Sequence, residues 1–214
     1  MKMNNDFLIL SIGKILQIIL MLITIKISTS LLSPHDMGNI YMVMTFASFF
    51  MLTFLNPVGQ YIQRFLNEWN EREILLKNII YFLIYTFFIS CIAIIFMWMY
   101  IKFIGLPVSF SSMNFLILLF LYIIFIYVNP QVLSFLNLLY FRLVFIVLSV
   151  LTSFGVLLFG SLGVILVEKS AEVWLIGIIT SNVIVSIIAY YFFTKKVGLP
   201  NFNIKSTYYR YTET

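Results

Sequence analysis

Residues 7–32 read FLILSIGKILQIILMLITIKISTSLL, and Lys14 and Lys26 are the only charges among them. A helix rises about 1.5 Å per residue, so this stretch spans about 39 Å, enough to cross a hydrocarbon core of about 30 Å. It is too long for the apolar core of a signal peptide, and no convincing small-residue cleavage site follows it. It therefore reads as a membrane-spanning helix.

Five further runs have the same character. They lie at about Gly38–Gln63, Asn78–Phe103, Met113–Tyr140, Phe141–Val167 and Val173–Thr194. The fourth is interrupted by Asn129-Pro130, and it meets the fifth near Asn137–Arg142 with almost no loop. Their combined length exceeds two bilayer crossings, so two helices are expected there. The chain of 214 residues is 62% hydrophobic and 10% charged, against about 25% charged residues in a typical soluble domain. Such a composition cannot build a water-facing surface. The expected fold is an all-α integral membrane bundle of about six transmembrane helices over residues 1–197. Residues 198–214 read as a polar, Tyr-rich cytoplasmic tail or linker.

The bases orient the bundle. With the N-terminus inside, the cytoplasmic side carries Lys2, Arg64, Arg72, Lys77, Arg142, Lys195, Lys196, Lys205 and Arg210, while the far side carries Lys102 and Lys169. Nine against two places both termini in the cytoplasm. The net charge of +5 is thereby explained without nucleic acid. Connections are short: Ser33-Pro34-His35-Asp36 is a turn signal with Gly38 opening the next helix, Gly105-Leu106-Pro107 closes the third span, and Ser170 can cap the sixth.

Polar residues inside spans are costly, which makes them informative. At about 100° per residue, Lys14, Gln17, Thr24 and Ser28 fall within roughly 80° on the first helix, with Lys26 about 120° from Lys14. On the second, Thr45, Ser48, Asn56, Gln60 and Gln63 fall within about 120°, with Arg64 beside them. The fourth carries Asn129, Pro130, Gln131, Ser134 and Asn137, and Pro130 should kink it. These stripes have two readings: lining of a polar path, or interhelical hydrogen bonding. Lys14 and Lys26 could equally snorkel to headgroups. No Asp or Glu lies within the six spans. A cavity here would be cationic and would suit an anionic group such as phosphate.

Enzyme chemistry has no foothold. The glycines are scattered rather than grouped in a phosphate loop, and no serine sits in a nucleophile elbow. One cysteine, Cys91, and one histidine, His35, make neither a zinc site nor an intrachain disulfide. Glu68, Glu71 and Glu73, mixed with Arg64, Arg72 and Lys77, read as a solvated, salt-bridged loop. No cofactor is expected.

The segment from Gly13-Lys14 through Ile25-Lys26 and Leu31-Leu32-Ser33-Pro34-His35-Asp36-Met37-Gly38 to Gly59-Gln60-Tyr61-Ile62-Gln63-Arg64-Phe65 resembles the N-terminal part of Wzx-type O-antigen flippases. These belong to the multidrug/oligosaccharidyl-lipid/polysaccharide exporter superfamily. Lys14, Lys26, Gly38, Gly59 and Arg64 match its positions; Ser30 stands where the family often has a second basic residue, so the outer edge of a cationic path lacks that charge. Beyond about residue 80 the likeness is helix number, spacing and the sidedness of the ends. The resemblance implies one of two six-helix halves and translocation of undecaprenyl-pyrophosphate-linked sugar repeats across a bacterial inner membrane. It implies a second half or a second copy as partner, with Lys14, Lys26 and Arg64 meeting the pyrophosphate or acidic sugars and Gln17, Thr24, Asn56 and Gln60 lining the path. The rival readings are a non-transporting scaffold or accessory subunit and half of a multidrug or ion exporter. Single cysteines at Gln17 and Asn56 separate path from scaffold. Both should react with a water-soluble thiol reagent if the stripes line a hydrated cavity, and protection at both would favour packing.

Overall fold

The structure is a computed structural model that describes residues 2–104 and 112–197. No strand occurs among the described residues, and the order of elements is α1 (Lys2–Leu31), α2 (Pro34–Phe50), a π-helical turn (Met51–Leu55), α3 (Asn56–Glu71), α4 (Leu75–Ile104), α5 (Ser112–Leu138), α6 (Arg142–Leu166) and α7 (Ala171–Val197). Since α2, the π turn and α3 form one continuous rod, six helices are long and apolar enough to cross a membrane. The protein is an all-helical, multi-pass membrane protein.

Helix ends follow local chemistry. Ser33 Oγ accepts the Asp36 amide at 3.1 Å and caps α2, with Pro34 in its first turn. The helix therefore opens at Pro34 and not at Gly38 as the turn reading expects, because proline in a first turn sacrifices no helix bond. Ser170 Oγ accepts the Val173 amide at 3.4 Å, the cap expected for the last helix. Between α5 and α6 the chain reverses at Tyr140, whose φ of 67° gives the tight left-handed turn that divides the long apolar run in two. The expected acidic and basic loop is mostly helix, since α3 continues to Glu71 and holds Arg72 to Glu68 at 2.7 Å across one turn. The Gly105 turn and the tail after Val197 lie outside the described residues.

The second span is not a regular α-helix throughout. The Asn56 amide bonds back to Met51 O, one residue farther than in an α-helix, and Pro57 next to it has no amide to donate. Two carbonyls of this turn take bonds from neighbouring helices: Tyr85 Oη of α4 donates to Phe54 O at 3.0 Å, and Tyr127 Oη of α5 donates to Leu55 O. The extra residue rotates everything after it by about 100°. Set back by that amount, Asn56, Gln60 and Gln63 still fall within about 100° of one another and of Thr45 and Ser48, so the polar stripe survives the insertion. By contrast, α5 runs through Pro130 as a single helix.

The core is centred on α5, which packs against α7, α4, α6 and α2. Over their most apolar windows α5 is 56% buried and α1 only 6%, so α5 is the interior helix and α1 the outermost. Between α6 and α7 the backbones themselves come close: a Cβ on Gly177 would lie 2.6 Å from the Gly160 amide nitrogen. Without a hydrophobic drive between helices in lipid, such backbone proximity supplies the packing. Gly177→Leu should lower the melting temperature of the protein in detergent, a loss of about 1–3 kcal/mol from overpacking. Gly38→Ala, where nothing lies within 4 Å, should leave it within a degree or two.

Candidate functional site

Helix α1 packs chiefly on α6, and Gly13 makes that possible, because a side chain there would overlap Ile146. The close approach turns the next residues of α1 to either side of the seam. Ile9, Ile12 and Leu16 line an apolar groove with Val147 and Val150. Lys14, Gln17 and Thr24 line the opposite one, of about 370 Å³, with Thr152 and Ser153 of α6.

Lys14 sets the character of the second groove. Its Nζ donates to Gln17 Oε1 at 3.0 Å and lies 5.3 Å from the centre of the Phe145 ring. The amine is held by an amide oxygen and an aromatic face, the second worth about 0.5–2 kcal/mol. The arrangement places a positive charge in a cleft that Ile18, Met21 and Val156 make largely apolar, where the amine can hold an anion.

The wall behind this groove is a buried polar cluster. Asn129 of α5 donates to Asn182 Oδ1 of α7 at 2.8 Å and to Thr152 Oγ1 of α6 at 3.2 Å. Asn182 Nδ2 is committed to Ile178 O at 2.8 Å and the Thr152 hydroxyl to Leu148 O at 2.9 Å. Those two bonds fix the direction of the others, so both Asn129 amide hydrogens are used. Asn129 Oδ1 is left without a partner among the described residues. Ser181 Oγ donates to Thr152 O at 2.9 Å, tying the last two helices at the same level. Thr152 thus belongs both to the groove and to the cluster that joins three helices.

The remaining sequence-derived candidates lie elsewhere. Ser28 is buried and bonds to Ile25 O. Lys26 is exposed and points about 140° away from the Gly13 side of α1. Asn56 is half-buried, and Gln60 and Arg64 are exposed on α3, which packs on α5, α4 and the π turn; none of these lines the α1–α6 groove. Gln63 Nε2 donates to Gln131 Oε1 at 2.9 Å, so that part of the second stripe serves interhelical bonding. Gly59 lies beneath Tyr127 and Gln131, which explains a small residue at that place in the motif.

Four contributors were missed in the sequence: Phe145, Thr152, Ser153 and Asn182. A signal for the first three existed. Phe145, Ser149, Thr152 and Ser153 share one face of α6 at helical spacing, a polar stripe on the fifth span like those on the first, second and fourth. Asn182 had no such signal, since a lone amide in an apolar helix does not name its partner.

Fold and groove together define a helical multi-pass membrane protein with a cationic cleft at its edge. No family model, curated protein or solved structure matches the chain. Among the described residues, no group of three or more His, Cys, Asp or Glu side chains could hold a metal ion. The amide cluster is testable by stability. Asn129→Leu should cost about 0.5–1.5 kcal/mol by stranding Asn182 and Thr152. The double variant with Asn182→Leu should lose less than the sum of the two single losses, as thermal unfolding in detergent would show.

Proposed function

We propose that this chain is a transport protein of a bacterial inner membrane. It translocates an undecaprenyl-pyrophosphate-linked oligosaccharide, the O-antigen repeat unit of lipopolysaccharide, and acts as one six-helix half of a flippase with both termini in the cytoplasm. The observation that carries this reading is Lys14, held by Gln17 near the Phe145 ring in a groove that Thr24, Thr152 and Ser153 also line. An amine exposed on an otherwise apolar helix is expensive in a bilayer and gains most from a di-anionic partner. The six apolar runs of the sequence, Phe7–Leu32 among them, contain no carboxylate, which fits an anionic substrate better than a cationic drug.

In this reading the pyrophosphate is the handle and the bilayer holds the polyprenyl tail. Lys14 offsets one of the two pyrophosphate charges as the group leaves the headgroup layer, which lowers the desolvation cost of a phosphate in the membrane. A second bundle, contributed by another chain segment or a second copy, closes the cleft and permits alternating access, since such clefts form between repeats. Lys26, Asn56, Gln60 and Arg64 meet substrate only if that second bundle completes a path past them.

A flipping assay tests the proposal. The protein is reconstituted in liposomes with a fluorescent undecaprenyl-pyrophosphate oligosaccharide, and the rate at which external dithionite gains access to the label is followed. Lys14→Glu should slow translocation at least tenfold and Lys14→Arg should keep most of it. An unchanged rate in Lys14→Glu would remove the cationic-groove mechanism.

A further inference from the structure

The hydrogen-bonding groups of the α1–α6 groove are sorted along its length. At the end nearer Phe7 stand donors. Lys14 spends one of three N–H bonds on Gln17 Oε1, and the same bond occupies the Gln17 carbonyl and leaves its amide nitrogen. Farther along the hydroxyls have all turned back onto their own helices. Thr24 donates to Leu20 O at 2.7 Å, Thr152 to Leu148 O at 2.9 Å and Ser153 to Ser149 O at 3.3 Å. A hydroxyl has one hydrogen and two acceptor positions, so these side chains present lone pairs to the groove. Thr152 already receives Asn129. Thr24 and Ser153 carry the unspent acceptors.

We infer that the groove takes a glycosyl phosphate in one orientation, with the phosphate on Lys14 and the Gln17 amide nitrogen and sugar hydroxyls donating to Ser153 and Thr24. The two ends demand opposite chemistry. An ionised phosphate only accepts, and it would be repelled by the Thr24 and Ser153 lone pairs. A sugar hydroxyl is an available donor, and Lys14 prefers a charged acceptor. The dimensions agree. Thr24 lies about 15 Å along α1 from Lys14, and Ser153 about 10 Å along α6 from the Ile146 that meets Gly13. One or two sugar rings beyond a phosphate span that range. The groove volume of about 370 Å³ falls within the usual range for ligand clefts, about 300–1,000 Å³.

This inference rests on the phosphate-binding role proposed above and adds to it a hydroxyl subsite and a direction. The test uses the full chain in nanodiscs with Cys91→Ser and a reporter cysteine at Val156, which lines the groove but takes no part in either subsite. The rate of modification by a water-soluble methanethiosulfonate is measured against methyl phosphate and against maltose 1-phosphate. Both should protect, maltose 1-phosphate at about tenfold lower concentration. Lys14→Gln should weaken both about tenfold or more. Thr24→Val and Ser153→Ala should each weaken only maltose 1-phosphate, by about three- to tenfold, and Thr24→Ser, which keeps the acceptor, should restore it. Equal protection by the two phosphates in the parent protein, or equal losses for both in Thr24→Val and Ser153→Ala, would overturn the hydroxyl subsite and leave the phosphate reading standing. A reporter that reacts but is protected by neither would overturn the phosphate reading and this inference with it.

Discussion

A peptide group in hydrocarbon has no water to bond, so every irregularity in a spanning helix needs a partner from within the protein. This constraint organises the bundle. The π turn before Pro57 disturbs the backbone ladder, and tyrosines from α4 and α5 reach over to Phe54 O and Leu55 O. Serine and threonine hydroxyls inside the helices follow the same rule by bonding to carbonyls one turn back. Asn182 also donates one turn back, to Ile178 O, and its side-chain oxygen accepts from Asn129 across helices.

Against that background Lys14 is the exception. The hydroxyls turn inward to satisfy backbone, and the asparagines pair in the interior, but Lys14 stands in an open groove with donors to spare. Gly13 sets its place by letting α1 lie directly on Ile146. The seam divides α1 into a wholly apolar flank and one where Lys14, Gln17 and Thr24 stand among apolar side chains. Lipid solvates the first without cost, and the second calls for water, a ligand or another protein surface.

Much of this was legible in one dimension. The six spans, the division between α5 and α6 and the Ser170 cap follow from apolar length and turn chemistry. Lys14, Gln17, Thr24 and Ser28 share one side of α1 because it is a regular helix, where about 100° per residue holds; the first three line the groove and Ser28 is buried. On the second span a π insertion shifts every later residue by about 100°, yet the polar residues before and after it remain within one sector. Pro57 was the available warning, although a proline does not state how a helix will absorb it. The half of the site on α6 was legible as a face of Phe145, Thr152 and Ser153, but not as the partner of α1.

The sequence by itself determined that the chain is a membrane bundle, which helices cross and which residues share a helix face. Those properties depend on local rise, rotation and transfer energy, and the chain order specifies them. Only the tertiary structure decided which faces meet. It put Lys14 beside Phe145 and Thr152, left Arg64 and Gln60 exposed on α3 outside the groove, and joined Asn129 to Asn182. Helix pairing in lipid is set by close packing at small residues and by a few interhelical hydrogen bonds, and both depend on partners far away in the chain.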